Sequence, residues 1–289
     1  MKKIAIINRV CYDKKNKRHA ALIVNKLKEM DADIIFTEYR GHAEKIAKNS
    51  GAYDIIIAGG GDGSISEIVN GMDLESQALG IIPMGTGNSL ATDLKISGIG
   101  KSFDVIKRSG IKKIDLLKCR FESRGSEFEK YLVTTSGIGL GEKTASFGNH
   151  YLKGLGPLCY IVAMCIKSFF QETLSAEIKI DGSVTESTEF TSFFANNTKH
   201  AGNVRIFPAA SLDDSKLDFS FARRNFFTQY LWNTGVLTGT YIYYPAAKTA
   251  GKLEIGLHKA AALMLDGEMF ESVKEIIYSV IPKKLSVLN

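Results

Sequence analysis

Apolar and polar residues alternate along the first part of the chain in blocks that predict strands and helices in turn. Short, wholly apolar runs are each followed by a longer run whose apolar residues recur at helical spacing. The predicted strands are 2–10, 33–37, 54–58 and 79–83, and the predicted helices are 17–30, 42–49, 64–71 and 87–94. Wholly apolar strands are typical of sheets that are covered on both faces, so this pattern predicts a Rossmann-like parallel sheet flanked by helices.

After about residue 118 the pattern changes to short segments in which apolar residues recur with a period of two. Strands are predicted at 111–119, 127–137, 174–181, 189–196, 216–223, 252–257, 261–266 and 273–280, and helices near 157–171 and 226–238. Such a run of antiparallel-looking strands predicts a β-sandwich-like second domain. The expected fold class is therefore α/β plus all-β, with one domain at 1–118 and a β-rich domain at 119–289.

Two glycine-rich turns each join a predicted strand to a predicted helix. Residues 59–64 read GGGDGS, and residues 84–88 read MGTGN. A glycine turn at the start of a helix leaves backbone N–H groups available to a phosphate at the positive end of the helix dipole. Two such turns, one strand apart, predict a polyphosphate site. Their spacing does not fit the dinucleotide-binding fingerprint.

Acidic residues provide candidate chemistry at one of these turns and near the C-terminus. Asp62 lies inside the first glycine turn, where its carboxylate could bind the water shell of Mg²⁺ or accept a proton from a substrate hydroxyl. Its alternative role is a helix cap. Asp266 and Glu268 stand in the sequence LDGE, in which Asp-Gly is also an ordinary hairpin-turn signal.

At these residues the sequence resembles a known family. GGGDGSISEIVNG is similar to the GGDGT-type nucleotide motif of the diacylglycerol kinase catalytic superfamily, and PMGTGNSLATDL is similar to its GTGN-type loop. The resemblance continues through 37–47, 155–164, 208–219 and the segment LMLDGEMF at 263–270. It is strongest for the bacterial lipid kinase branch, which is related to the sphingosine kinases.

The resemblance implies an ATP-dependent lipid kinase with its active site in the cleft between an α/β nucleotide-binding domain and a β-rich lipid domain. Its substrate would be a diacylglycerol-like or sphingoid lipid that carries a hydroxyl group. The implied catalytic residues are Asp62, Asp266 and Glu268, with Asp62 or Asp266 as the base, and the implied Mg²⁺ ligands are Asp62 and Asp214. The implied ATP-binding residues are Asn8, Thr37, Gly60, Gly61, Gly63, Ser64, Glu67, Gly85, Thr86, Gly87 and Asn88.

Several of these residues also have structural interpretations. Thr37 could cap a strand end, Glu67 could be an exposed acid favoured by the helix dipole, and Asp214 could lie on a solvated turn. The sequence departs from the family pattern at two further places. Ser89 stands where many bacterial members have Asp, and Ser215 stands where the metal loop has Gly.

Two alternatives to a lipid kinase stay open, and the first of them follows from these departures. A third departure, Arg9 after Asn8 in place of the proline of the family, lies near the implied adenine contacts. One alternative is a nucleotide- or lipid-binding regulator that retains the scaffold without activity. The other is a soluble-metabolite kinase of the NAD kinase type, which shares the GGDG loop.

Composition and charge agree with a globular protein that acts on anionic partners. A chain of 289 residues with 45% hydrophobic residues can form two cores, and a net charge of +6 suits nucleotide polyphosphates or an anionic membrane surface. Because no basic stripe is interleaved with aromatic residues, we expect no nucleic-acid partner. The aromatic-rich segment 226–244 is a candidate lining for a lipid channel, or part of a core.

Cysteine spacing and the lengths of the apolar runs predict the compartment. The four cysteines form no paired motif, so we expect reduced thiols in the cytoplasm. No apolar run approaches the ~20 residues of a membrane span, so we expect no transmembrane segment. Because the implied substrate is a lipid, we expect a cytoplasmic enzyme that works peripherally at the inner membrane surface. The sequence leaves open whether the protein is a homodimer.

Overall fold

The computed structural model describes residues 1–139, 172–202, 204–222 and 247–289. The helices predicted near 157–171 and 226–238, and the candidate channel lining at 226–244, lie outside the described residues. None of the helices within the described ranges combines the length and hydrophobicity that a membrane span requires.

The N-terminal part alternates strands and helices, as predicted. Its elements are β1 (Lys3–Asn8), α1 (Arg9–Asp13), α2 (Lys17–Glu29), β2 (Ala32–Thr37), α3 (His42–Lys48), β3 (Ile55–Gly60), α4 (Asp62–Gly71), β4 (Ala78–Pro83), α5 (Ser89–Asp93) and α6 (Gly98–Arg108). β1 pairs in parallel with β2 and β3, and β3 pairs in parallel with β4. The predicted parallel sheet is thereby confirmed, and the carboxyl ends of β1, β2, β3 and β4 lie at the same edge.

The C-terminal part is rich in antiparallel strands. Its elements are β5 (Ile111–Ser123), β6 (Ser126–Leu132), β7 (Thr135–Ile138), β8 (Leu174–Ile180), β9 (Ser183–Phe190), β10 (Ser192–Asn196), β11 (His200–Ala201), β12 (Val204–Arg205), β13 (Leu217–Ala222), β14 (Lys248–Ala250), β15 (Lys252–Leu265) and β16 (Glu268–Leu288). In the described part of the chain, fourteen strands form one sheet that includes both the parallel and the antiparallel strands. The two groups meet where β16 pairs with β4, through Val287 and Leu79.

Two predicted strand boundaries in this part were wrong for physical reasons that the structure makes clear. The strand expected at 127–137 is divided into β6 and β7, because the backbone N–H groups of Val133 and Thr134 donate to the Asp266 carboxylate and not to a neighbouring strand. The separate strands expected at 252–257 and 261–266 form the single strand β15, which contains a register shift between Gly256 and Ala261.

Two large hydrophobic cores and one small cluster lie within the described residues. One packs the helices against the parallel sheet and extends along β5 as far as Leu116, and it also includes Leu285, Val287 and Leu288 from the end of β16. The other begins at Leu117 and fills the β-rich part. The domain boundary predicted at residue 118 falls within β5, which is continuous from one core to the other.

Candidate active site

The first glycine turn ends β3 and begins α4. The prediction placed Asp62 in a loop before a helix at 64–71, whereas the structure begins α4 at Asp62. Gly61 is the N-cap, and its carbonyl accepts from the N–H groups of Ser64 at 3.0 Å and Ile65 at 3.1 Å. The N–H groups at the start of α4 therefore point out of the helix, as an anion site requires.

The second glycine turn packs directly against the first. A Cβ added at Gly85 would lie 2.5 Å from the Cα of Gly61, so neither position leaves room for a side chain. The Asn88 side chain closes its own turn, because its Oδ1 accepts from the Gly85 N–H at 2.9 Å and its Nδ2 donates to the Gly85 carbonyl at 2.8 Å. Asn88 adopts a φ of 53°, in the left-handed region that Asn tolerates. The structure thus brings the two turns together at one sheet edge.

Asp62 projects from the first turn toward the helix that follows the second. Its half-buried carboxylate accepts from the Ser89 hydroxyl at 3.1 Å and, more weakly, from the Leu90 N–H at 3.4 Å. A carboxylate offers about four lone-pair positions. Asp62 therefore retains acceptor capacity for a substrate hydroxyl or a metal-bound water.

Asp266 is held in a different way. It is only 8% exposed, and it accepts from the N–H groups of Val133, Thr134 and Thr135 at 2.8–3.0 Å and from the Thr134 hydroxyl at 2.5 Å. Burial raises the pKa of the Asp266 carboxyl, while these donors act in the opposite direction. Three of these bonds go to Oδ1 and one to Oδ2, so donors from residues 133–135 hold both oxygens of the buried Asp266 carboxylate.

The Asp266-Gly267 pair forms the turn between β15 and β16, and both residues have positive φ, 46° and 88°. Positive φ at both central residues is the requirement of a type I′ hairpin, so the structural alternative for Asp-Gly holds. The turn also reaches the glycine loops, since a Cβ added at Gly63 would lie 3.7 Å from the Asp266 carbonyl oxygen. The hairpin interpretation and the proximity to the first turn are therefore both correct.

Glu268 lies just after this turn and makes a contact that the sequence did not indicate. Its carboxylate, 43% exposed, lies 3.3 Å from the Lys130 Nζ atom, which also lies 3.5 Å from a Glu44 carboxylate oxygen. Arg40 was also missed as a site residue, although it stands in the family-like segment 37–47, and its Nη2 donates to the Gly267 carbonyl at 3.2 Å. Lys130 thus lies between two carboxylates and Arg40 binds the backbone of the turn, so both cations help to hold the acidic turn in place.

Glu67 and Asn8 each tie the α4 region to a neighbouring element. Glu67 binds the turn between β2 and α3, and Asn8, at the end of β1, binds the first glycine turn. Both Glu67 oxygens accept backbone N–H groups at the start of α3, from Gly41 at 3.0 Å and Ala43 at 3.2 Å. Glu67 therefore fixes the β2–α3 turn and is not a free exposed acid. Asn8 donates to the Ser64 hydroxyl at 3.0 Å and accepts from the Cys11 N–H at 3.0 Å, so it caps α1 while contacting the first turn.

Thr37 and Thr86 complete the predicted nucleotide contacts. Thr37 is the last residue of β2, is 7% exposed and pairs with Asn8 at the same sheet edge. Thr86 is exposed at the second glycine turn. Both residues lie at the carboxyl ends of parallel strands, where ligands of α/β sheets bind.

The acidic loop around Asp214 is organised by a residue that the sequence did not indicate. Asp115, fully buried, accepts from the Ser215 N–H at 2.6 Å and the Lys283 N–H at 2.7 Å. Asp214 itself accepts from the Lys216 N–H at 3.1 Å. Across the described ranges, no group of three or more His, Cys, Asp or Glu side chains is arranged to hold a metal ion. The metal site at Asp214 stays a prediction.

The chain is similar to known proteins along most of its length. Residues 2–119 match the family model described as diacylglycerol kinase catalytic domain, and residues 137–289 match the one described as YegS C-terminal NAD kinase beta sandwich-like domain. A diacylglycerol kinase of Bacillus subtilis (strain 168) is 27% identical over 288 residues, which cover 93% of this chain and 92% of that protein. A diacylglycerol kinase of Staphylococcus aureus (strain NCTC 8325 / PS 47) is 29% identical over 56% of this chain and 50% of that protein.

Two solved structures share the fold. A diacylglycerol kinase from Bacillus anthracis str. Sterne superposes with a TM-score of 0.76 at 22% identity, covering 99% of this chain and 96% of that one. An NAD kinase from Archaeoglobus fulgidus in complex with ATP superposes with a TM-score of 0.57 at 12% identity, covering 99% of this chain and 93% of that one. The predicted fold class is confirmed. Together, the two matched domains and the relative that aligns over nearly the full length place the chain in the diacylglycerol kinase catalytic superfamily, in its bacterial branch, and make it a kinase.

Proposed function

We propose that this kinase transfers the γ-phosphate of ATP to a hydroxyl group of a diacylglycerol-like or sphingoid lipid. The observation that carries the proposal is the convergence of three turns. The two glycine turns touch at Gly61 and Gly85, and the Asp266 carbonyl lies against Gly63. Phosphoryl transfer depends mainly on positioning and charge stabilisation, which this convergence supplies.

The ATP phosphates are assigned to the N-terminus of α4. There the outward-pointing N–H groups and the helix dipole favour negative charge. Gly60, Gly61, Gly63 and Ser64 form one wall of this site, and Gly85, Thr86, Gly87 and Asn88 form the other. Asn8, Thr37 and Glu67 shape the adjoining nucleotide pocket. The cations Arg40 and Lys130 add positive charge at the rim of the acidic turn.

The proton acceptor is assigned to Asp62. Asp62 is better placed than Asp266, because it is half-buried with two donors, whereas Asp266 is buried and already accepts from four donors in residues 133–135. A base must come within hydrogen-bond reach of the proton that it removes, and a half-buried group at the phosphate site can do so. Asp266 then acts through the turn that it shapes, and Glu268 presents a second carboxylate toward the cleft.

The donor chemistry at Asp62 also fits Mg²⁺. This ion commonly binds proteins through one or two carboxylates while phosphates and waters complete its shell. Asp62 would hold it beside the phosphate-binding turns. When bound, the ion supplies positive charge that offsets the charge of the transferring phosphoryl group.

The acceptor is assigned to the β-rich part, 119–289, at a membrane surface. The family to which the chain belongs and the basic net charge of +6 support a peripheral enzyme on the cytoplasmic side of an anionic membrane. The cytoplasmic location and the lipid acceptor belong to the proposal.

The decisive experiment incubates the purified protein and Mg²⁺ with ATP labelled on its γ-phosphate and offers separate acceptors. These are mixed vesicles with diacylglycerol, mixed vesicles with sphingosine, and soluble NAD. We expect label in the organic extract from one of the lipid reactions. Label in NAD alone would show a soluble-metabolite kinase, and ATP binding without transfer to any acceptor would show a regulator. Either outcome contradicts the proposal.

A further inference from the structure

The side chain of Ser89 lies between the first glycine turn and the β-rich part of the molecule. Ser89 is the first residue of α5, directly after the second glycine turn, and is only 1% exposed. Its hydroxyl lies 3.1 Å from Asp62 Oδ2 and 2.8 Å from the backbone nitrogen of Gly202. One buried hydroxyl thus contacts a candidate catalytic carboxylate and a backbone group 113 residues away in sequence.

The direction of these two bonds follows from the chemistry of the groups. The Gly202 N–H can only donate, so the Ser89 oxygen accepts there. An ionised Asp62 can only accept, so the single hydroxyl proton is directed to it. The Gly202 carbonyl is a competing acceptor, but it lies at 3.5 Å, farther than the 3.1 Å of Asp62.

We propose that Ser89 is a positioning residue that couples the docked position of Gly202, at the end of β11, to the orientation of the Asp62 carboxylate. This inference rests on the proposed function of Asp62 as the proton acceptor. With Oδ2 held by Ser89 and Oδ1 by the Leu90 N–H, the carboxylate is fixed in orientation across the phosphate site. A fixed base reacts faster than one that samples several rotamers.

The chain around Gly202 does not itself depend on Ser89 for its position. One turn along α5, the Asp93 carboxylate accepts from the Lys199 N–H and pairs with the His200 ring nitrogen Nδ1, both at 2.5 Å. Backbone packing adds to this, since a Cβ at Gly87 would lie 2.6 Å from the Gly202 Cα. Removal of the Ser89 hydroxyl therefore frees Asp62 while the two parts of the molecule stay docked.

The test compares Ser89→Ala with Thr92→Ala in the full chain. Thr92 is the matched control, because its exposed hydroxyl lies on the same helix and donates to the Asn88 carbonyl at 2.9 Å without touching Asp62. We expect Ser89→Ala to lower kcat about tenfold with the KM for ATP unchanged within about twofold, because the lost bond orients the base and does not hold phosphate. Thr92→Ala should leave both constants unchanged.

A second readout does not require activity. Hydrogen exchange of the Gly202 amide, followed by NMR, should accelerate in Ser89→Ala and not in Thr92→Ala, because the hydroxyl is the acceptor of that N–H. An unchanged kcat in Ser89→Ala overturns the positioning role. So does an outcome in which kcat is unchanged while KM rises and the melting temperature falls, because that would show a purely structural role. If the wild-type protein transfers phosphate to no acceptor, the proposed function fails. Independently of activity, an unchanged hydrogen-exchange rate of the Gly202 amide in Ser89→Ala would contradict the hydrogen bond from Gly202 to Ser89.

Discussion

Two of the three Asp-Gly pairs in the chain, Asp62-Gly63 and Asp266-Gly267, approach each other in space and have opposite surroundings. Asp62-Gly63 begins a helix after a parallel strand, and its carboxylate is half-buried with one hydroxyl and one distant N–H as donors. Asp266-Gly267 forms a hairpin turn, and its carboxylate is buried with four donors at 3.0 Å or less. The same dipeptide therefore yields one partly exposed carboxylate with few donors and one buried carboxylate with several.

The difference arises from the secondary structure in which each pair lies. A helix start turns its N–H groups toward a ligand, so Asp62 shares the space in which phosphate would bind. A type I′ turn instead directs the Asp266 side chain back onto the segment 133–135, whose N–H groups would otherwise be unsatisfied at the break between β6 and β7. Asp266 thus stabilises the turn that places Glu268 beside Lys130.

The largest expected effect is the loss of activity in Asp62→Asn. Removing the proton acceptor should lower kcat by about 10³-fold, within the range that general-base catalysis contributes. The free energy of unfolding should fall by no more than about 1 kcal/mol, the contribution of an acid in the first turn of a helix. Transfer of labelled phosphate to lipid and urea unfolding measure the two quantities.

The exposed Asp104 on α6 offers a matched control for this substitution. Asp104→Asn removes one negative charge far along the chain from both glycine turns and should leave kcat unchanged. If Asp62→Asn retains more than about a tenth of the wild-type kcat, Asp62 is not the base. The two Asp-Gly pairs would then differ in structure but not in catalytic role.

The second expected effect is a loss of stability in Asp266→Asn. The amide can replace only one carboxylate oxygen as an acceptor, so its NH₂ group would face N–H donors of the 133–135 segment. Leaving such buried donors unsatisfied should reduce the free energy of unfolding by about 2–4 kcal/mol. Urea unfolding measures this. A stability equal to that of the wild type would show that Asp266 is not the structural member of the pair.

Local patterns predicted the parallel sheet and the two glycine turns, because both depend on residues close in sequence. The contacts that distinguish the two Asp-Gly pairs could not be predicted in the same way. Asp266 is separated from Thr134 by 132 residues and Ser89 from Gly202 by 113, and no periodicity encodes such a pairing. Helix α6 was missed for a local reason, since Gly98 and Gly100 obscure its first turn.

Asp218 is another buried carboxylate that can be compared with Asp62 and Asp266. Its substitution has the smallest expected effect. It is 4% exposed, and burial, reinforced by the nearby charge of Asp214, raises its pKa to about 6. Within the described residues it lacks a set of amide donors like the one around Asp266. A raised folded-state pKa means that the folded protein binds more protons than the unfolded chain between about pH 4 and pH 6. Stability should therefore fall as the pH rises through this window and stay lower at pH 7.

Asp218→Asn removes the ionisable group and with it this part of the pH dependence. We expect the variant to be more stable than the wild type at pH 7 by about 1–2 kcal/mol, less than the upper limit set by the pKa difference, because the buried amide also needs partners. The advantage should shrink toward pH 4, where Asp218 is protonated in the folded wild type and approaches its pKa in the unfolded chain. Urea unfolding at pH 4, 5, 6 and 7 measures the difference, with the exposed Asp13→Asn as the control that should follow the wild-type profile. A constant difference across this range would show that folding does not raise the pKa of Asp218, and that burial alone does not distinguish the carboxylates of this fold.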